Sequence, residues 1–191
     1  RERFYVQHYI LVMGNTGIRV GEMRNVCWND LDRVVVGKGD ERLIFSVDGK
    51  TGKRDVVCNP NTETYFKRLM DFRVEELGID KDKFNMKENV FCKKDGSPVQ
   101  SFKSGFISLL KKCDLRVSKS GEYRTIYSLR HTYATQRINE VSVYQLSVNM
   151  GTSVKMIETH YSHAKVKDPE FAKTITKGNQ KGSSEIPSFL K

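Results

Sequence analysis

From Val34 onward the apolar spacing of this chain changes from helical to alternating, and that change constrains its fold more than any other feature. The runs "RVVV", "RLIFSV" and "RDVVC" are short and β-branched, and the stretches between them, "GKGDE" and "DGKTGK", have turn compositions. They predict a small antiparallel sheet of three strands, with Lys38 in its first turn and Lys50 and Lys53 in its second.

The flanking segments are helical. Residues Phe4 to Met13 carry apolar side chains at helical spacing and stop at "GNTG", and "IRVGEMRNVCW" follows as a second short helix with Arg19 just past the turn. In "NTETYFKRLMDFRVEEL", Tyr65, Phe66, Leu69, Phe72 and Leu77 mark a core helix with asparagine or threonine available as its N-cap. "NVFCKKDGSPV" suits a short hairpin or loop, and "SFKSGFISLLKKC" an amphipathic helix with Lys103, Lys111 and Lys112 off its apolar face. After the polar loop "VSKSGEYR", Ile126, Leu129, Tyr133 and Ile138 trace a stripe. Tyr127 and Arg130, three apart, share a neighbouring face. "SVYQLSVNMG" and "SVKMIETHY" are two helical pieces broken by Gly151. The class expected is α+β, mostly helical with a small three-stranded antiparallel sheet. Residues 1–163 form one domain, and 164–191 a basic tail that docks elsewhere, as on a neighbouring protomer, or stays disordered.

A formal net charge of +10 over 191 residues makes a polyanion the expected partner, because lysine and arginine that meet phosphates release condensed counterions; a basic surface kept for solubility is the bland alternative. Cys27, Cys58, Cys92 and Cys113 lie far apart without zinc spacing and are expected as buried thiols in a reducing compartment; no metal or cofactor is expected. No apolar run is long enough for a membrane span, and no leader pattern is present. The chain opens on "RERFYVQHY" without a methionine, as part of something larger.

The candidate chemistry lies between Ile126 and His163. An arginine with a histidine beside it, and a tyrosine between two more histidines, are the parts of a phosphoryl-transfer site that needs no metal: a guanidinium offers fixed donors to phosphodiester oxygens, and a phenol can attack phosphorus and hold it as an ester. A lone tyrosine near a helix end is more often packing, so Tyr161 needs support from the rest of the chain. Arg19 at a helix start opposes the dipole, which an anion bound there would explain; a plain surface arginine is the other reading.

The order of these pieces supplies that support. "TGIRVGE" before a tryptophan and "NDLD", a glycine-flanked lysine in a β-turn, "SLRHTYAT", and "MGTSVKMIETHYSH" resemble the catalytic domain of the tyrosine recombinases, the phage-integrase family, over about Phe4 to His163. The resemblance implies that fold, and it implies that Arg19 and Arg130 hold the non-bridging oxygens of the scissile phosphate. Lys50 would be the general acid on the leaving 5′-oxygen and Tyr161 the nucleophile that forms a 3′-phosphotyrosine without ATP or metal. Lys38, in "VGKGDERL", also matches the lysine motif as some relatives write it; Lys50 is preferred because the strand after it leads into "NPNTETYFKRL".

Two positions depart from the family pattern. Tyr127 stands where a histidine is usual three residues before the second arginine, and Thr152 where a histidine or tryptophan is usual. Both can donate a hydrogen bond, but a phenol with a pKa near 10 is a poor base, so proton transfer would suffer more than phosphate binding. His131, His160, His163 and Lys53 are further candidates for phosphate or DNA contact. The implied partners are double-stranded DNA, a homo-oligomer that is a tetramer on synapsed sites, and accessory DNA-bending proteins, with no membrane. The implied setting is the cytoplasm, at the nucleoid of a bacterial host, with a virus as one source of the gene. An N-terminal core-binding domain, usual in the family, is absent from these residues. A catalytically weakened DNA-binding relative of the same fold, a type IB topoisomerase-like enzyme and a plain basic nucleic-acid binder are the rival readings.

Overall fold

The computed structural model describes residues 1–49 and 52–161, the last of these for its backbone only. Lys50, His163 and the 164–191 tail therefore lie outside the described residues, as does the side chain of Tyr161. In chain order the elements are α1 (Glu2–Thr16), α2 (Val20–Met23), β1 (Leu31–Gly37), β2 (Asp40–Gly49), β3 (Gly52–Val57), α3 (Thr62–Leu77), α4 (Lys103–Lys112), α5 (Tyr127–Arg137), α6 (Val143–Met150) and α7 (Val154–Tyr161). None of these helices is long and apolar enough to cross a membrane.

The three alternating runs form one antiparallel sheet in the order β1-β2-β3, in register from Leu31 opposite Phe45 and from Ile44 opposite Val57. The ladder between β2 and β3 continues to Gly49 opposite Gly52, so Lys53 belongs to strand β3 and not to the turn in which the sequence placed it. Side chains on β3 alternate: Val56 is buried and Arg54 shares its inward face, while Lys53, Asp55 and Val57 are exposed.

α1 runs through the main core. Tyr5, Tyr9, Val12 and Met13 are buried along it, and the rings of Tyr5 and Tyr9 meet Phe91 edge-on at 5.9 and 5.3 Å. Phe4 stacks on Phe72 of α3 at 4.5 Å, and Trp28 meets Phe66 and Phe84 edge-on. Burying an aromatic side chain of this kind contributes about 1.5 to 3 kcal/mol before conformational entropy is counted. α3 follows the expected stripe at Phe66 and Leu69, but Leu77, in its last turn, is 40% exposed. Asn61 occupies the N-cap position in a left-handed conformation without a side-chain cap; the Thr62 hydroxyl donates instead to the Asn59 carbonyl at 2.7 Å.

Two stretches expected as loops are tied by single β-bridges, Cys92 to Pro98 and Val117 to Tyr123. Of the four cysteines only Cys58 and Cys92 are buried; Cys27 is partly exposed and Cys113, at the C-terminal cap of α4, is exposed. The expectation of four buried thiols is corrected accordingly.

A second, smaller core joins α5, α6 and α7 through Tyr133, Ala134, Leu146, Met150 and Ile157. α6 begins with a capping box, in which the Ser142 hydroxyl accepts from the Gln145 N–H at 3.2 Å and the Gln145 side chain accepts from the Ser142 N–H at 3.1 Å. It ends at Gly151, whose left-handed φ of 63° turns the chain into α7.

Candidate active site

The site starts from the turn between α1 and α2. Gly17 caps α1 at φ 63°, and a Cβ there would collide with the ring of Tyr133, so glycine is required both by the backbone and by the close approach of α5. That approach brings Arg130 against the turn: its Nη1 donates to the Gly17 carbonyl, and the residue is 3% exposed. Arg19, two residues beyond Gly17, is the N-cap of α2. Its Nη1 donates to Glu22 Oε1 at 2.8 Å, its backbone N–H donates to Glu22 Oε2 at 3.1 Å, and its Nη2 donates to the Gly151 carbonyl.

Glu22 is 5% exposed and also accepts from Arg54 Nη2 at 2.9 Å. Burial alone would raise its pKa, but the hydrogen bonds from Arg54 and Arg19 outweigh burial and hold the carboxyl below its usual range. Burial lowers the pKa of Arg130; the charges of Arg19 and Arg54 push in the same direction, against Tyr127 and Glu22. Arg19 and Arg54 thus share one carboxylate. With the charge of Arg130 close enough to be felt, three guanidiniums stand against one negative charge, which leaves two net positive charges in a half-buried setting suited to an anion.

Gly49, the last described residue of β2, packs so closely on Glu22 that a Cβ would collide with Oε1. Gly49 therefore lies beside the arginine cluster. Thr152 follows the carbonyl that Arg19 holds, and its own N–H donates to the Ser147 carbonyl at 2.9 Å. Tyr127 is 49% exposed at the start of α5, and its ring meets His131 edge-on at 4.8 Å. Burial first, then the charges of His160 and Arg130, lower the pKa of His131. His160, exposed in the last turn of α7, is therefore near His131. His131 also lines an open groove of about 480 Å³ with Tyr123, Arg124, Ser128 and Thr132.

Lys53 pairs across the ladder with Asp48 and lines a cavity of about 250 Å³ to which Glu22, Asp30 and Asp48 also contribute, so Glu22 is common to this cavity and to the arginine cluster. Among the described residues no three His, Cys, Asp or Glu side chains gather as metal ligands.

Three contributors escape a reading of motifs. Glu22 was visible as the acidic residue three after Arg19, and Arg54 as an arginine in phase with the buried Val56. Asn149 has no such signal: its amide accepts from the Val57 N–H at 2.8 Å and donates to the Val57 carbonyl at 3.2 Å and to the Tyr133 hydroxyl at 2.9 Å, tying α6 to the free edge of β3.

This architecture is that of the tyrosine recombinase catalytic domains. Superposition on XerH site-specific recombinase bound to a difH substrate gives a TM-score of 0.65 at 19% identity, over 92% of this chain and 48% of that one. A Tn1549 transposon integrase in complex with circular intermediate DNA gives 0.59 at 22% identity, over 90% and 57%. XerA recombinase gives 0.59 at 17% identity, over 95% and 63%. At these identities the likeness is one of fold, and the chain spans about half to three fifths of the lengths of the proteins it matches. No family model matches the sequence, and no curated protein does.

Proposed function

We propose that this chain is the catalytic part of a site-specific DNA recombinase that breaks and rejoins duplex DNA through a 3′-phosphotyrosine. The observation that carries the reading is the convergence of Arg19 and Arg130 on one turn: Arg130 donates to Gly17, and Arg19 is two residues further along the same turn. Two fixed guanidiniums meet the extra negative charge that develops on the equatorial oxygens of a phosphorane-like transition state, where one well-placed donor contributes about 3 to 4 kcal/mol. The phenolic oxygen of Tyr161 forms the new bond to phosphorus as the bond to the 5′-oxygen breaks. That oxygen takes a proton from Lys50, and the phenol proton passes to a base. The ester preserves the bond energy, so a 5′-hydroxyl from another strand reverses the step. Tyr127 and Thr152 supply hydrogen bonds to the phosphate, and His131, His160 and His163 serve as contacts to it.

The recombinase and integrase structures of like fold include DNA complexes, which supports double-stranded DNA as the partner here. Assembly as a tetramer on paired sites, and help from DNA-bending proteins, belong to the same proposal. The test is a nicked half-site that traps the cleaved strand. The wild-type chain yields a covalent adduct whose linked peptide contains Tyr161; Tyr161→Phe retains DNA binding and yields none. An adduct formed by Tyr161→Phe overturns the assignment.

The exposed phenol of Tyr127, where the family usually has a histidine, favours a second reading: a weakened relative that binds DNA without cleaving it. In that case the wild-type chain binds the half-site and forms no adduct.

A further inference from the structure

The recombinase reading leaves Arg54 without a part, yet Arg54 is held tightly within the arginine cluster. Its side chain is 13% exposed, and its Nε and Nη1 are buried without a hydrogen-bond partner. A phosphate cannot touch atoms sealed in this way. Nη2 donates both to Glu22 Oε2 at 2.9 Å and to the Met150 carbonyl at 3.2 Å. The guanidinium also lies under Gly151, where a Cβ would collide with its Nε. Arg54 and Arg19 therefore hold the consecutive carbonyls of Met150 and Gly151, and they share the single carboxylate of Glu22.

Charge counting gives this arrangement a use. Arg19 paired with Glu22 alone is neutral overall, and a neutral ion pair attracts a phosphodiester weakly. A second guanidinium on the same carboxylate makes two positive charges against one negative, a net charge of +1 at the mouth of the site. In a half-buried environment that difference is screened little. A buried cation with two unsatisfied donors is costly to keep, which fits a group retained for its charge rather than for its hydrogen bonds.

We propose that Arg54 is a positioning residue that draws off the charge of Glu22, so that Arg19 stays cationic toward a phosphodiester, and that fixes the junction between α6 and α7 through Met150. The proposal rests on the reading of Arg19 as a phosphate-binding group. It predicts a charge rescue. Arg54→Gln leaves Glu22 to neutralise Arg19; it slows adduct formation on the nicked half-site by about 10- to 100-fold, the range that outer supporting residues carry at other sites, and weakens inorganic phosphate binding followed by thermal shift. Arg54→Lys, which keeps the charge, loses less. In the double variant Glu22→Gln, Arg54→Gln the carboxylate is gone as well, so Arg19 is cationic again and both readouts recover most of the loss. A double variant no better than Arg54→Gln, or Arg54→Lys no better than Arg54→Gln, overturns the proposal in favour of a purely structural arginine. If Arg54→Gln does not fold, the double variant, which removes the carboxylate together with its second guanidinium, carries the test: it must react within about tenfold of wild type, the low end of the same range, and a folded but slower protein overturns the idea. A wild-type chain that forms no adduct sinks the recombinase reading, while the phosphate titrations still decide the role of Arg54.

Discussion

Around Phe91 the chain is fastened by aromatic packing, with Tyr5, Tyr9 and Phe102 on its ring; around Gly151 it is fastened by polar groups reaching from other elements. The first region is a deep core in which α1, α3 and the sheet surround buried rings. The second has a small apolar cluster, and its position is set by Arg19, Arg54 and Asn149. Packing is non-directional and forgiving of small shifts, whereas hydrogen bonds to named carbonyls specify one arrangement. A scaffold suits the first kind of fastening. The junction between α6 and α7 has the second, and two of the groups that hold it, Arg19 and Arg54, belong to the candidate site.

That contrast breaks or sharpens under substitution. Phe91→Ala should cost about 3 to 5 kcal/mol of global stability, measured by urea unfolding, and the whole described domain should lose protection together. Ile157→Ala should cost less, about 2 kcal/mol, and native-state hydrogen exchange should place the loss in α5, α6 and α7; an equal loss in α1 would show that the two regions are one cooperative unit. Asn149→Ala should cost about 1 kcal/mol, because water replaces its bonds to the exposed Val57, and should raise exchange at Val57 while leaving the Phe91 core unchanged.

The smallest effect is expected from pH. Glu22 has a lower pKa in the folded chain than in the unfolded one, so its contribution is complete above the unfolded value, roughly 4.3, and is lost as pH falls through the folded value. Thermal unfolding between pH 6 and 3 should show that loss, and Glu22→Gln should flatten it.

The sequence made the elements legible because each carries its own punctuation. Gly17 and Gly151 end helices, β-branched runs mark the three strands, and "SVYQ" opens α6 with its box. The pairing of Arg19 with Arg130 was legible only through the family motifs, since 110 intervening residues separate them and nothing local links them. Glu22, Arg54 and Asn149 were missed because their roles depend on which surfaces meet, and charged or amide side chains are ordinarily exposed. Lys53 was misplaced by one strand residue because the glycine pair at 49 and 52 lets the ladder run further than turn composition suggests. The predicted roles of Lys50, His163 and the Tyr161 phenol concern groups outside the described residues, and the trapped half-site tests them.

Gly49 and Gly151 also set a boundary for engineering. Each abuts a charged side chain so tightly that even alanine would displace it, Glu22 in one case and Arg54 in the other. A variant series should therefore keep glycine at both positions, since a side chain at either would disturb the Arg19–Glu22–Arg54 group before it changed anything else.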